Sequence, residues 1–454
     1  MLRLSELARM VDGRLHGVDC VFDGVSTDTR TLRQGELFVA LHGPNFDGHD
    51  YLDIAQARGA AGALVGREAP GDLSSVIVDD TLRGLGQLGR GWRERCRARL
   101  IAITGSNGKT TLKEMIAAIL GRRGAVLATR GNLNNDIGVP LTLSRLRDEP
   151  FAVIEMGANH AGEIDYLSRL AQPDVAVLNN AGRAHLEGFG SIEGVARAKA
   201  EIIHGLGPDG VFVFNADDAF APLWRELGGA FAQRTFGIVN PADVSSPAGD
   251  YEIVWHDNRF HARFPVVCAE GEVELGMQLA GEHNRMNALA AIAAALLVGA
   301  DLDDARHALA GLAPVPGRLC PMTGANGARL IDDSYNANPD SVVAALRVLV
   351  SAPGRRTLVL GDLAELGDDA VALHHQLGVR AAEFGVDGLL TVGNMSAAAG
   401  RAFGVGHRHF ATRDELAAYL GARLSGDDTV LVKGSRSARM DEVVRQLRAA
   451  EVSC

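Results

Sequence analysis

Residues 104–111 read Thr-Gly-Ser-Asn-Gly-Lys-Thr-Thr, a set of side chains able to hold a nucleoside triphosphate. Gly105 and Gly108 let backbone N–H groups approach phosphate oxygens with no Cβ in the way. Lys109 supplies a fixed positive charge, and the Thr110 hydroxyl is a ligand for Mg²⁺. The general phosphate-loop pattern is not matched, because two residues rather than four precede the Gly-Lys pair and Ile103 stands where the first glycine would be. A glycine turn beside a surface lysine is the plainer alternative, but Lys109 followed by Thr110 and Thr111 favours nucleotide binding. Further along, the apolar run 151–154 ends in Glu155, a carboxylate placed to hold Mg²⁺ directly or through water. His185 lies in the glycine-rich stretch 179–190, and Lys199 in Ala-Arg-Ala-Lys-Ala-Glu-Ile at 196–202. Taken singly, a loop histidine is more often a hydrogen-bonding group than a ligand, and a helical lysine is ordinarily exposed.

Elements with the right order surround these residues. The apolar run 99–103 predicts a strand before the glycine loop, and Leu112, Met115, Ile116, Ile119 and Leu120 recur at the spacing that buries one helical face. From about 86 to 312, strands at 100–103, 151–155, 175–178 and 211–214 alternate with helices, which implies a mostly parallel sheet covered on both faces. Residues 1–85 mix short strands (36–40, 63–65, 76–78) with a helix around 51–58. The stretch 312–317, with two prolines and a glycine, reads as a linker. Beyond it, strands at 329–331, 357–360, 388–392 and 429–432 form a second α/β unit, Rossmann-like but without a G-x-G-x-x-G fingerprint.

The chain's 454 residues exceed what one core supports, so we expect three domains: 1–85, 86–312 and 313–454. A formal charge of −11 argues against nonspecific nucleic-acid or membrane binding, and the basic run 90–99 reads as a solvated face near a domain junction. Cys20, Cys96, Cys268, Cys320 and Cys454 are scattered, which indicates neither a disulfide framework nor a zinc site. The first ten residues carry an acid and read as a short amphipathic helix rather than a signal peptide. The apolar stretch 288–300 is a buried helix, too short for the roughly 20 residues a bilayer requires. We expect a cytoplasmic monomer with no membrane insertion and no nucleic-acid partner. The tail 445–454 reads as a fraying helix end.

The short loop T-G-x-x-G-K-T-T resembles that of the Mur ligases and their folylpolyglutamate synthetase relatives. E-M-G-A-N-H-x-G-E-I at 155–164, H-L-E-G-F-G at 185–190 and A-K-x-E-I at 198–202 resemble Mur ligase motifs in the same order and at similar spacing. The resemblance implies that Thr110, Glu155 and His185 serve magnesium, and that Lys199 reacts with CO₂ to give a carbamate that helps bind a second ion. It assigns ATP to Thr104, Gly105, Ser106, Asn107, Gly108, Lys109, Thr110 and Thr111. Asn284 and Asn287 of the H-N-x-x-N stretch fall to adenine, Arg318 to the phosphates and Asp333 to the ribose. Tyr335, Asn336, Asn338, Lys433 and Ser435 fall in the region that handles the incoming acceptor. At the other end, Ser26, Thr27, Asp28, Arg30, Asn45, Asp47 and His49 match a uridine-diphosphate-binding domain, where an arginine fork suits a diphosphate; unaided, Ser-Thr-Asp-Thr-Arg at 26–30 would be a turn.

Folylpolyglutamate synthetases lack that first domain, which counts against them. Against the member that adds the third residue, the metal strand ends E-M-G-A-N rather than E-V-S-S-H, the later loop reads D-S-Y-N-A-N-P, and no D-N-P-R occurs. The resemblance therefore points to the dipeptide-adding members. The implied reaction joins D-Ala-D-Ala to UDP-MurNAc-tripeptide with ATP and two Mg²⁺ ions, through an acyl phosphate, in peptidoglycan precursor synthesis. Lys109, Glu155, His185, Lys199 and Arg318 are its expected catalytic set. A switch GTPase would carry N-K-x-D, which is absent, and a non-catalytic muropeptide binder would have no use for this set.

Overall fold

Strand Arg99–Thr104 sends alternate side chains to opposite faces, Leu100 and Ala102 into one core and Ile101 and Ile103 into another. The computed structural model describes residues 1–69, 71–184, 186–257 and 259–449. His185 lies outside these, as do residues 450–454. In the central domain, Val126–Ala128, Phe151–Glu155, Arg99–Thr104, Val175–Leu178, Val211–Asn215, Ala232–Gly237 and Val244–Ser245 lie side by side in that order, all parallel. The chain order reverses around Arg99–Thr104, so the glycine loop that follows it opens at a topological switch point, where α/β sheets place their ligands. Three antiparallel strands extend the sheet: Arg259–Cys268 pairs with Val244–Ser245 and carries Glu252–His256 and Gly271–Met277.

Leu112, Met115, Ile116, Ile119 and Leu120 of helix Lys109–Leu120 are fully buried, as their spacing predicts. They pack against Glu282–Leu296, a helix whose residues from Asn287 to Ala295 are all buried. That helix is apolar all round because the core surrounds it. Among the described residues, no helix is long and apolar enough to cross a membrane, and Cys20, Cys96, Cys268 and Cys320 are free.

The N-terminal domain is a five-stranded sheet ordered Arg14–His16, Ser75–Ile77, Gly62–Val65, Leu37–Val39, Val25–Ser26. The expected opening helix is Leu4–Met10, preceded by the short strand Leu2–Arg3. Helix Thr81–Arg93 runs through residue 85 and joins this domain to the central one: Leu85, Leu88 and Trp92 share a core with both, and the Trp92 indole N–H donates to Leu146 O at 2.8 Å. Gly86 and Gly89 permit that approach, since a Cβ at either would collide with the Tyr166 hydroxyl or the Pro140 backbone. The basic run differs from the expected solvated face at one position. Arg93 is only 11% exposed, its guanidinium donating to the carbonyls of Ala171, Gln172 and Cys96 and lying 3.5 Å from the Asp174 carboxylate.

In the C-terminal domain, Arg329–Asp333, Asp428–Lys433, Arg355–Gly361, Gly388–Val392 and His407–Phe410 are parallel, with Cys320–Thr323 antiparallel on the edge. Phe260 and Ala280 of the central domain are buried in its core, with Ile253 and Trp255 packed against them. The antiparallel extension is therefore the surface on which the C-terminal domain rests.

Candidate active site

Gly108 takes φ +81° at the N-cap of helix Lys109–Leu120, a left-handed conformation that glycine adopts without strain. A Cβ there would lie 2.6 Å from Asn287 Oδ1, so the close packing excludes a larger residue independently. Lys109 arches back over the loop and its Nζ donates to Gly105 O at 2.6 Å. Burial lowers the Lys109 ammonium pKa, with Glu155 opposing and Arg318 adding to the shift. Beneath the loop, the Asn107 N–H donates to Asn180 Oδ1 at 2.8 Å, and the Asn179 amide donates to Asn107 O at 3.0 Å and to Asn287 Oδ1 at 2.8 Å. Asn284 and Asn287 are both buried and both line the cavity, and Asn287 also supports the loop. Thr104 is buried, its hydroxyl donating to Met156 O, and the Ser106 hydroxyl bridges to Gly182. Thr111 is buried on the first turn of the helix.

Glu155 ends the neighbouring strand in register with Ile103. The Thr110 hydroxyl donates to Glu155 Oε2 at 3.0 Å, and the Asn134 amide to Oε1 at 2.8 Å. Its backbone N–H donates to the Thr129 hydroxyl, and Thr129 O accepts from the buried Lys113. A hydroxyl and a carboxylate converging at hydrogen-bond distance form a hard oxygen donor set, which fits magnesium. Lys199, expected to be exposed on its own reading, is 1% exposed. Among the described residues its ammonium has no carboxylate partner; it lies 5.8 Å from the Phe189 ring centroid, and burial together with nearby Lys109 pushes its pKa well below the usual lysine range.

From the other domain, Arg318 Nη2 donates to the Thr110 hydroxyl at 3.0 Å. Asn338 caps helix Pro339–Ser351 through its Oδ1 while its Nδ2 donates to Asn107 Oδ1 at 2.8 Å, and Asp340 accepts from the Arg183 N–H at 2.7 Å. Asp333 and Lys433 are register partners, joined by a buried ion pair of 2.6 Å. Burial pushes the Asp333 carboxyl up against the pull of Lys433. These groups line one cavity of about 1030 Å³, together with Ser435, Asn336 and Tyr335. That volume is at the upper end of ordinary ligand sites.

Three families match in succession: "Mur ligase family, catalytic domain" at residues 21–81, "Mur ligase middle domain" at 103–295 and "Mur ligase, glutamate ligase domain" at 317–436. The UDP-N-acetylmuramoyl-tripeptide–D-alanyl-D-alanine ligase of Escherichia coli is 47% identical over 448 residues, 98% of each chain. The chain belongs to the Mur ligase family. The Bacillus subtilis enzyme of the same name is 36% identical over 99% of both chains. A crystal structure of MurF from Acinetobacter baumannii superposes with a TM-score of 0.90 at 37% identity, covering 98% of both chains. MurF from Thermotoga maritima in complex with ADP gives 0.83 at 27% identity, over 93% of this chain and 96% of that one.

In this Mur ligase the N-terminal candidates lie apart from the cavity lining. Arg30 is largely exposed, with its guanidinium on Asp28 at 2.7 Å, and the Ser26 hydroxyl donates to Asp28 O. Thr27 is half-buried, and Asn45 is exposed at the tip of the hairpin His42–Gly43/Phe46–Asp47. Asp47 and His49 are engaged internally: their side chains meet at 2.6 Å, and His49 Nε2 accepts the Gly66 N–H at 2.8 Å. Of the acceptor-region candidates, Asn338, Lys433 and Ser435 have their polar groups engaged within the protein, Ser435 donating to Asp362 O at 2.6 Å. Sequence reasoning missed Asn134, Asn180, Asp340 and Arg436. The asparagine-rich stretch 132–135, beside two glycines, was the available signal for the first.

Proposed function

We propose that this chain joins D-alanyl-D-alanine to UDP-N-acetylmuramoyl-tripeptide with ATP, giving the UDP-linked pentapeptide, ADP and phosphate. The observation that carries the reading is the convergence of Lys109, Thr110, Glu155 and Arg318 from two domains on one cavity, in a chain 47% identical end to end to a ligase of that name.

A carboxylate is a poor electrophile, so it must be activated before an amine can attack it. In the proposed sequence a tripeptide carboxylate oxygen attacks the γ-phosphorus, the bond to the β-phosphate oxygen breaks, and ADP leaves. Lys109 and Arg318 face the phosphoryl charge from opposite domains, where burial makes each interaction stronger than in water. The free amine of the dipeptide then attacks the acyl carbon and loses a proton. The C–O bond to phosphate breaks, so the phosphate departs with one oxygen of the original carboxylate. Magnesium, when bound at Thr110 and Glu155, would neutralise phosphate charge and orient the nucleotide. His185 and Lys199 are its further proposed ligands. A neutral Lys199 amine is the form that adds to CO₂, forming a C–N bond and releasing a proton; the carbamate then offers oxygens in place of a cation. The N-terminal domain, with Arg30 at its surface, is assigned the uridine diphosphate end, and docking of the C-terminal domain excludes water from the acyl phosphate.

The test is phosphate release with ATP, magnesium and UDP-MurNAc-tripeptide, with D-Ala-D-Ala or single amino acids as acceptor, followed by product mass. The reading predicts dipeptide-dependent phosphate release and a product heavier by one dipeptide residue pair. Equal release with single amino acids, or an unchanged nucleotide-peptide mass, would overturn it.

A further inference from the structure

Arg436 brings to the cavity a charge that, among the described residues, no acid of the protein neutralises. Its loop neighbours are neutralised: Lys433 by Asp333, and Arg439 by Glu442. The Arg436 guanidinium is exposed and, among the described residues, has no carboxylate partner. It lies over the ring of Tyr335, 5.2 Å from the centroid. The backbone beneath it is fixed. Ser435 is buried with its N–H and hydroxyl both on Asp362 O, and the Arg436 N–H donates to Asn336 Oδ1 at 3.3 Å. A long cation on a rigid turn, pointing into a ligand cavity without a counter-ion, is placed for an anionic group of the ligand.

Arg318 lies on the same tyrosine ring at 4.4 Å and reaches the phosphate loop through Thr110. Two guanidinium carbons so close to one centroid are less than about 10 Å apart. An extended dipeptide measures about 7 Å from amine to terminal carboxylate, at roughly 3.3–3.6 Å per residue. We propose that Arg436 binds the terminal carboxylate of the dipeptide acceptor, with the amine directed to the acyl carbon beside Arg318. The assignment rests on the ligase reading above and names the residue that reads the far end of its acceptor.

The experiment compares D-Ala-D-Ala with its C-terminal amide in the wild type, Arg436→Lys and Arg436→Gln. Loss of a charge-assisted pair predicts an acceptor KM about 10- to 100-fold higher for the amide than for the acid in the wild type. In Arg436→Gln, acid and amide should have similar, raised KM values while the KM for ATP holds. Arg436→Lys should restore part of the discrimination. Equal use of acid and amide by the wild type, retained discrimination in Arg436→Gln, or a defect confined to ATP would overturn the proposal. No turnover of D-Ala-D-Ala by the wild type would instead count against the ligase reading.

Discussion

Glu155 is held in place by its neighbours: Thr110 and Asn134 hold its two oxygens, and Thr129 fixes its backbone. Asn134 touches neither substrate nor phosphate in this account, so its effect should pass through the carboxylate. Asn134→Ala should raise the magnesium concentration for half-maximal activity about 10- to 100-fold, as loss of a supporting hydrogen bond typically does, while uridine-nucleotide binding is unchanged; titration of both checks it. A second residue-scale expectation concerns His283. Burial, with Lys433 and Arg347 nearby, lowers its pKa from 6.5 to about 4. The unfolded chain therefore binds a proton in that interval that the native protein does not, and stability falls as pH drops from 6.5 toward 4. The contribution reaches at most about 2 kcal/mol by about pH 5. Melts at about pH 7 and pH 5 should show a smaller acid loss in His283→Asn than in the wild type. The placement of Lys109 at the glycine loop and of Glu155 at a strand end was legible from the sequence, although many strands end in an acid and only the motif resemblance singled out Glu155. Burial of Lys199 was not, since the small residues around it, Ala196, Ala198 and Ala200, fit an exposed and an enclosed helix equally.

At the scale of elements, helix Pro339–Ser351 begins with a residue doing two things at once. Asn338 Oδ1 caps the helix and its Nδ2 bridges to the phosphate loop. Asn338→Asp keeps the cap and removes the donor, whereas Asn338→Ala loses both, at a helix cost of about 1 kcal/mol. We expect Asn338→Asp to lower kcat/KM about tenfold with little change in melting temperature, and Asn338→Ala to lower both; steady-state kinetics beside calorimetry separates the two. Most central strands could be read from sequence because a strand buried on both faces is a continuous apolar run, as at Phe151–Glu155 and Val175–Leu178. The antiparallel extension was not, although Arg259–Cys268 alternates exposed and buried residues through most of its length. Its period of two was a usable signal hidden among helix–strand alternation. The helix Thr81–Arg93 was missed for a different reason: its glycines lower helix propensity, and only the tertiary approach of Tyr166 and Pro140 explains them.

For the whole molecule, the arrangement of domains matters more than any one of them. The central and C-terminal domains meet through an apolar contact, Phe260 and Ala280 in the C-terminal core, and through polar contacts at the reacting centre, Arg318 on Thr110 and Asn338 on Asn107. The apolar contact holds the domains together, and the polar ones complete the proposed phosphate site. Sequence placed the three α/β units in order but carried no record of these contacts, since the paired residues are more than two hundred positions apart. The central claim is that the γ-phosphoryl group passes to the tripeptide carboxylate before the dipeptide amine attacks. UDP-MurNAc-tripeptide carrying heavy oxygen in its reacting carboxylate tests this directly, by mass analysis of the phosphate released during complete turnover with ATP and D-Ala-D-Ala. The account predicts one labelled oxygen in each phosphate, matched by pentapeptide formed; unlabelled phosphate accompanying that product would contradict it.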